Sequence, residues 1–560
     1  MQPTDEQQAA VDTAVEGHSL ALEALAGTGK SSTLKLIAAA LPARTRVLLT
    51  AFSAQVIKDA KAANFPRNVK PMGNHGMAYR PVGVKYREAG RMERRLTPRA
   101  VVECLGLEDR HFPGDVTAQE GAHIALEAVL RFQQSAAQRL TPGHVLVPES
   151  LRLTSAEIPG VAFKLAQRIW DELANIESRL PITHDTYLKL WALTDPRLEF
   201  DTVMCDEAQD SNAVMIDLLT RQNAQMIVVG DRRQQIFSFR GAENAMGKFK
   251  VTRRLALTQS FRFGTRIAEA ANAVLLTHCK SDLRLRGFDR IDDRLTRFPI
   301  DRCTIVARKN TTLIGHVVSA TAERKRIGVV GGVTDLLKLV EGAEKLMRNE
   351  RAVQCPDLAD FRTWGEVKGY AQTPAGRDLS VLANLVDEYG AGGLQRLLRS
   401  VEGNEVEEGR CDLLLTTAHR SKGREWDSVL LADDFPVPTD SDLGEGPPEG
   451  RTKWNLEEGN LLYVAVTRGQ RLVNCLDTEA WLDALDRAEV KGVSLPGVLD
   501  DPQLAAEIAG EGDGAPVSPG RQAIAQADPA ELIRQLLYAA EAGRLDADLR
   551  ARAMQFLASI

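Results

Sequence analysis

Apolar residues in this chain gather in short runs that end in polar or glycine-rich turns. They are Leu20–Leu22, Val47–Leu49, Thr202–Cys205, Met226–Val229, Thr304–Ala307, Leu413–Thr416 and Val429–Leu431. Such runs are too short for helices and lack the alternation of a strand with one wet face. They fit strands buried on both faces, as in parallel sheets. Helical patterns separate them, which predicts a parallel α/β architecture with functional residues at the carboxyl ends of strands. Two helix-rich gaps exceed what one such unit needs. Residues 86–195 and 311–409 are therefore expected to be mostly helical inserts. They interrupt a first core of residues 1–85 and 196–255 and a second of residues 256–310 and 410–490. Residues 433–452, rich in proline and acid, read as a solvated connection, and residues 491–560 as a linker and short helical tail. In that tail Asp528-Pro529-Ala530-Glu531 has the residues of a helix start. Its apolar face, Leu532, Ile533, Leu536 and Leu537, either packs back on the body or docks a protein partner through residues 528–560.

Two of the runs lead into candidate chemistry. Leu20–Leu22 is followed by Ala24-Leu25-Ala26-Gly27-Thr28-Gly29-Lys30-Ser31-Ser32. Glycines there let backbone N–H groups from Ala26 to Ser32 close around phosphates, with Lys30 reaching the terminal phosphates and Ser31 holding magnesium. Thr202–Cys205 leads into Asp206-Glu207-Ala208-Gln209-Asp210, where Asp206 shares the magnesium with Ser31 and Glu207 is placed to orient an attacking water. Either element alone is a modest signal; together they predict a site that hydrolyses ATP with Mg²⁺.

Composition narrows the setting. A chain of 560 residues exceeds one core and suggests several domains. With a net charge of −6, any nucleic acid would have to be held by a local basic groove and not by bulk attraction. Seven scattered cysteines without a C-x-x-C pair favour reduced thiols and argue against zinc or iron–sulfur sites. The start of the chain lacks signal-peptide character and no apolar run reaches membrane-spanning length, so a cytoplasmic protein without membrane contact is expected.

Downstream lies Gly230-Asp231-Arg232-Arg233-Gln234-Gln235-Ile236-Phe237-Ser238-Phe239-Arg240-Gly241-Ala242. Further on come Ser260-Phe261-Arg262, then Thr417-Ala418-His419-Arg420-Ser421-Lys422-Gly423-Arg424-Glu425-Trp426, then Glu457 through Arg468. With these ordered motifs the chain resembles the UvrD/Rep family of superfamily 1A DNA helicases, and among them the F-box DNA helicase branch. The resemblance implies two RecA-like cores and a set of roles. Gln7 reads adenine through its amide, Phe261 stacks on the base and Glu425 lies near the ribose. Gln234 senses the γ-phosphate, Arg262 contacts it from the second core, and Arg468 is the arginine finger. Phe52, Phe237, Phe239 and Arg240 are implied contacts to single-stranded DNA, with Thr417 and His419 near its backbone. Motion from 3′ to 5′ is implied by the Phe237–Ala242 segment.

Aromatic rings after core strands can stack on unpaired bases, and His75 and Tyr79 are candidates of this kind, with core packing the competing reading. Arg80, Lys85, Arg87, Arg91, Arg94, Arg95 and Arg99 stand against only Glu88 and Glu93. They form either a solvated helix face or a phosphate-contacting stretch. The expected partners are single-stranded DNA and its junctions with duplex. Two departures from the family pattern stand out: Ser53-Ala54-Gln55 replaces Thr-Asn-Lys, and Phe261 replaces tyrosine. The second insert is also short for the family. That favours a motor that strips bound proteins with little unwinding, beside a helicase proper or an ATP-gated DNA-binding subunit of a larger complex.

Overall fold

The structure is a computed structural model that describes residues 2–51, 54–152, 155–236, 245–296, 300, 302–372, 377–402, 411–439, 455–475 and 478–491. Side chains at 54–55, 150, 245, 377–378 and 402 fall outside that description. The chain divides into two units, Met1–Phe261 and Arg262–Ile560.

The first unit is built on a six-stranded sheet: β1 Leu20–Ala24, β2 Val47–Ala51, β3 Val69–Pro71, β4 Thr202–Asp206, β5 Gln225–Gly230 and β6 Arg253–Leu257. Its order is β3-β2-β4-β5-β1-β6 and every pairing is parallel. The period-2 geometry of strands divides the apolar side chains between two layers. Leu20, Leu22, Val47, Leu49, Met204, Ile227 and Val229 pack with α1 (Asp5–Val15) and α2 (Lys30–Ala40). Ala21, Leu48, Val203, Cys205, Met226 and Val228 belong to the core shared with the helices between β3 and β4. The helices after residue 86 therefore share the core on that sheet face with the helices Asn74–Ala78 and Ala213–Thr220.

Those helices start at sequence-legible caps. Thr97 precedes Pro98, Thr117 and Glu120 form a reciprocal capping box, and Thr183 caps the helix His184–Ala192. Two helices of this group end at buried cations. The Arg91 guanidinium donates to the carbonyls of Leu180 and Glu172, at 2.9 and 3.0 Å, and to that of Asn175. Arg91 thus neutralises the carboxyl end of the helix Ile158–Ala174. This removes one member of the basic stretch from solvent: Arg91 is 4% exposed. Arg99 pairs with Glu103 at 2.7 Å, and Arg87 donates to the Tyr79 hydroxyl at 3.0 Å. Lys189 lies over the Phe132 ring and donates to the carbonyls of Ser135 and Ala137, both at 2.7 Å, just beyond the helix Ala118–Gln134.

The second unit holds another parallel sheet: β7 Arg294–Thr296, β8 Cys303–Ala307, β9 Ile327–Val329, β10 Leu413–Thr417, β11 Trp426–Leu431 and β12 Gly469–Asn474. Its order is β7-β12-β11-β8-β10-β9. The segment 311–409 contributes β9 at its edge, between the helices Asn310–Ala322 and Thr334–Met347. Its helices share one apolar core with β8 and β10, through Leu313, Val317, Leu339, Leu382 and Leu394 against Ile305 and Leu415.

Burial pulls the Lys189 ammonium down to about 8. The folded chain therefore binds fewer protons than the unfolded chain between that value and the ordinary lysine value, and stability rises with pH across this window. In unfolding titrations of the parent and Lys189→Met, the parent gains on the variant between about pH 8 and about pH 10; a pH-independent gap contradicts the burial account.

Candidate functional site

In the first sheet β4, β5 and β1 are neighbours, so their carboxyl ends open on one edge. β1 feeds the turn Leu25–Gly29 and then α2, β4 ends at Asp206, and β5 ends at Gly230 before Asp231. Parallel register alone thus assembles residues from three distant stretches.

Gly29 caps α2 at φ +79°, a conformation that favours glycine. Lys30 Nζ donates to the Ala24 carbonyl at 3.3 Å, and the Thr28 hydroxyl donates to the Leu25 carbonyl at 2.9 Å. Ala26 is buried, Gly27 is half-buried, and Ser31 and Ser32 are exposed on the first turn of α2. The Ser31 hydroxyl donates to Asp206 Oδ2 at 2.8 Å. Burial, then the neighbouring Glu207, hold Asp206 above the usual carboxylate range, while Ser31 and Lys30 act the other way. A hydroxyl beside a carboxylate in excess negative potential is a fitting oxygen donor set for Mg²⁺. Ser31 and Asp206 would hold the ion, and it would neutralise charge on the phosphates.

Glu207 has φ +49°, the left-handed region that a non-glycine residue occupies only when its surroundings impose it. Gln209 Nε2 donates to Glu207 Oε2 at 2.6 Å. Gln234, 5% exposed, donates through Nε2 to Asp231 Oδ2 at 2.9 Å. Burial also raises Asp231, against the opposing effect of Lys30.

Gln7, Gly29 and Phe261 come together. A Cβ on Gly29 would lie 3.3 Å from Gln7 Nε2 and 3.9 Å from Phe261 Cδ2, and the Phe261 N–H donates to the Gly27 carbonyl at 2.8 Å. The Gln7 amide accepts from the Thr4 N–H at 3.1 Å and donates to the Thr33 hydroxyl at 3.2 Å. These bonds use one of its two acceptor sites and one of its two N–H groups. The other capacity of each kind is what adenine recognition needs.

In the second unit Arg262, Glu425 and Arg468 meet around Thr467. Arg262 Nε donates to Glu425 Oε2 at 2.6 Å and Nη1 to the Thr467 carbonyl at 3.1 Å. Gln470 Nε2 donates to Glu425 Oε1 at 2.9 Å. Arg468 is buried and donates to the Val464 and Arg424 carbonyls at 2.8 and 3.0 Å and to the Thr467 hydroxyl at 3.1 Å. At the carboxyl end of β10, Thr417 caps the turn of helix that carries His419, accepting the Arg420 N–H. The Arg420 side chain fastens the turn after β9 through the Val330 and Gly332 carbonyls and Asp335.

His75 Nε2 lies 2.8 Å from Asp185 Oδ1, and the Tyr79 ring packs edge-on against Tyr187. Both residues are half-buried beside the helix His184–Ala192. Phe52, Phe237, Phe239, Arg240 and the tail 528–560 lie outside the described residues. Sequence reasoning left several site residues without a role. Glu6 accepts from the Thr258 N–H and hydroxyl at 2.8 and 2.6 Å, joining α1 to the end of β6. Glu23 accepts the Arg232 N–H at 2.8 Å. As the one charge inside an apolar strand, Glu23 carried a signal; Glu6 carried none.

A parallel sheet in which β1 opens into a phosphate loop, with a strand-borne Asp-Glu on the nearby β4, defines a P-loop nucleotide-hydrolase core. A family model described as the UvrD/REP helicase N-terminal domain matches residues 176–249. F-box DNA helicase protein 1 of Schizosaccharomyces pombe is 29% identical over 543 residues, covering 90% of this chain and 60% of that protein. F-box DNA helicase 1 of Gallus gallus is 31% identical over 501 residues, covering 84% of this chain and 48% of that protein. The chain therefore spans between about half and three-fifths of the length of these relatives. A solved structure of PRRSV helicase aligns with 83% of this chain and 54% of that one at 10% identity. Its TM-score of 0.26 is too low to carry weight. These matches make the chain similar to the UvrD-like helicases, and among them to the F-box DNA helicases.

Gly29→Ala puts a methyl against Gln7 and forces an L-residue into the left-handed region, at about 1–2 kcal/mol. Nucleotide affinity is expected to fall about tenfold in titrations with a fluorescent ATP analogue; unchanged affinity contradicts this geometry.

Proposed function

We propose that this chain is an ATP-dependent DNA helicase or translocase that moves 3′-to-5′ along a single strand. The observation that carries the reading is the Ser31–Asp206 contact beside Lys30 and Glu207, which is the arrangement phosphoryl transfer to water requires. Lys30 and the loop Ala26–Ser32 hold the phosphates, with Mg²⁺ on Ser31 and Asp206. Glu207 orients the water, and Gln7, Phe261 and Glu425 hold the nucleoside. Arg262 and Arg468, gathered about Thr467, supply the positive charge that the transferring phosphate needs. Because the two arginines belong to the second unit, hydrolysis is tied to closure of the two cores on ATP. Opening after hydrolysis resets them, and bases shift across Phe52, His75, Tyr79, Phe237 and Phe239 with each cycle. Arg240, Thr417 and His419 contact the backbone, and Gln234 links phosphate state to the strand. The names of the relatives support DNA as the substrate.

A second reading, a single-strand motor that displaces bound proteins and unwinds little, is favoured by the helices of 311–409. They share the core of the second sheet and are not a separate body. Unwinding of a tailed duplex compared with displacement of a strand-bound protein distinguishes the two.

Lys30→Ala and Glu207→Gln are expected to abolish single-strand-stimulated ATPase while leaving DNA binding; surviving stimulated hydrolysis in both rejects the site. Arg468→Ala is expected to lower stimulated kcat by about 10³. Duplexes with a 3′ or a 5′ tail test the polarity, with unwinding confined to the former.

A further inference from the structure

Gln209, fully buried at the turn after β4, uses its amide at both ends. Nε2 donates to Glu207 Oε2 at 2.6 Å, and Oε1 accepts the backbone N–H of Asp231 at 3.1 Å. The Asp231 carboxylate in turn accepts from Gln234 Nε2 and from the Arg233 N–H, both at 2.9 Å. One continuous chain of hydrogen bonds thus runs from Glu207 at the end of β4 to Gln234 after β5. Its two ends fix the amide's orientation, because a carboxylate only accepts and an N–H only donates.

The fold keeps a place for this amide. A Cβ on Gly230 would sit 2.2 Å from Gln209 Oε1, so the last residue of β5 has to lack one. Glu207 meanwhile holds a left-handed backbone at φ +49°, which local sequence does not favour. The short bond from Gln209 and the Glu207 N–H donation to Asp206 Oδ1, at 2.9 Å, brace it on both sides.

We propose that Gln209 is the positioning residue for Glu207. It aims the Glu207 carboxylate and makes that aim depend on the Asp231–Gln234 turn, so a shift of the turn moves the water-orienting group. The inference rests on the proposed roles of Glu207 and Gln234 in hydrolysis.

Gln209→Glu keeps size and an oxygen for the Asp231 N–H but turns a carboxylate oxygen toward Glu207; Gln209→Met removes both bonds. In the full chain with single-stranded DNA, kcat for ATP is expected to fall about 100-fold in each. KM for ATP and strand affinity should stay within about twofold, since only the step that uses Glu207 is affected. Two results overturn the proposal: parent-like kcat in both variants, or a loss carried by KM. A purely structural role would appear as a lower melting temperature with kcat of the folded fraction intact. If Glu207→Gln itself still hydrolyses ATP, the reading of Glu207 fails. If Glu207→Gln is inactive and the Gln209 variants turn over normally, only the role of Gln209 fails.

Discussion

The candidate site depends on one constraint, the parallel register that sets the ends of β1, β4 and β5 side by side. The Ser31–Asp206 hydrogen bond, between residues 175 positions apart, is its local expression. It holds because the strands are apolar on both faces and are clamped between two helical layers. Neither layer is dispensable. α1 and α2 pack on one face, and the helices between β3 and β4 share the core of the other with the helix Ala213–Thr220. Much of the stretch between Lys30 and Asp206 is thus part of the core behind this sheet. Its cost in buried charge is met locally, by Arg91 and Lys189 on carbonyls at helix ends.

The second unit is organised around a different centre. Thr467 lies at the end of the helix Leu456–Val466 and gathers Arg262 through its carbonyl and Arg468 through its hydroxyl. Glu425 takes Arg262 on one oxygen and Gln470 on the other. A carboxylate so occupied fixes the orientation of the Arg262 guanidinium. On the proposed reading, a phosphate would compete with Glu425 for Arg262, and a ribose with Gln470 for Glu425.

Physical reasons separate what the sequence disclosed from what it concealed. β2, β4, β8 and β10 were legible because each is buried throughout and reads as an unbroken apolar run. β6 starts with Arg253-Arg254, and β12 with Gly469-Gln470-Arg471, so their polar openings hid them. β3, β7 and β9 are three residues each, below what a pattern can register. The phosphate loop and Asp206-Glu207 were legible because spacing and neighbours specify them. Gln209 and Asp231 sat inside motifs already singled out, yet their partnership requires the register of β4 against β5. Arg91 was misjudged as a surface cation for a similar reason: its acceptors are backbone carbonyls more than 80 positions away, which no side-chain pattern advertises.

That internal arginine changes how this surface would trade ions with solution. A strand lying along residues 80–99 meets at most six of the seven cations written there, because Arg91 has no access to its phosphates. Counterion release follows the charges that reach the polymer, at about 0.7 in the logarithmic salt slope for each phosphate neutralised on a single strand. Adding up arginines and lysines would therefore overstate the electrolyte sensitivity of this face.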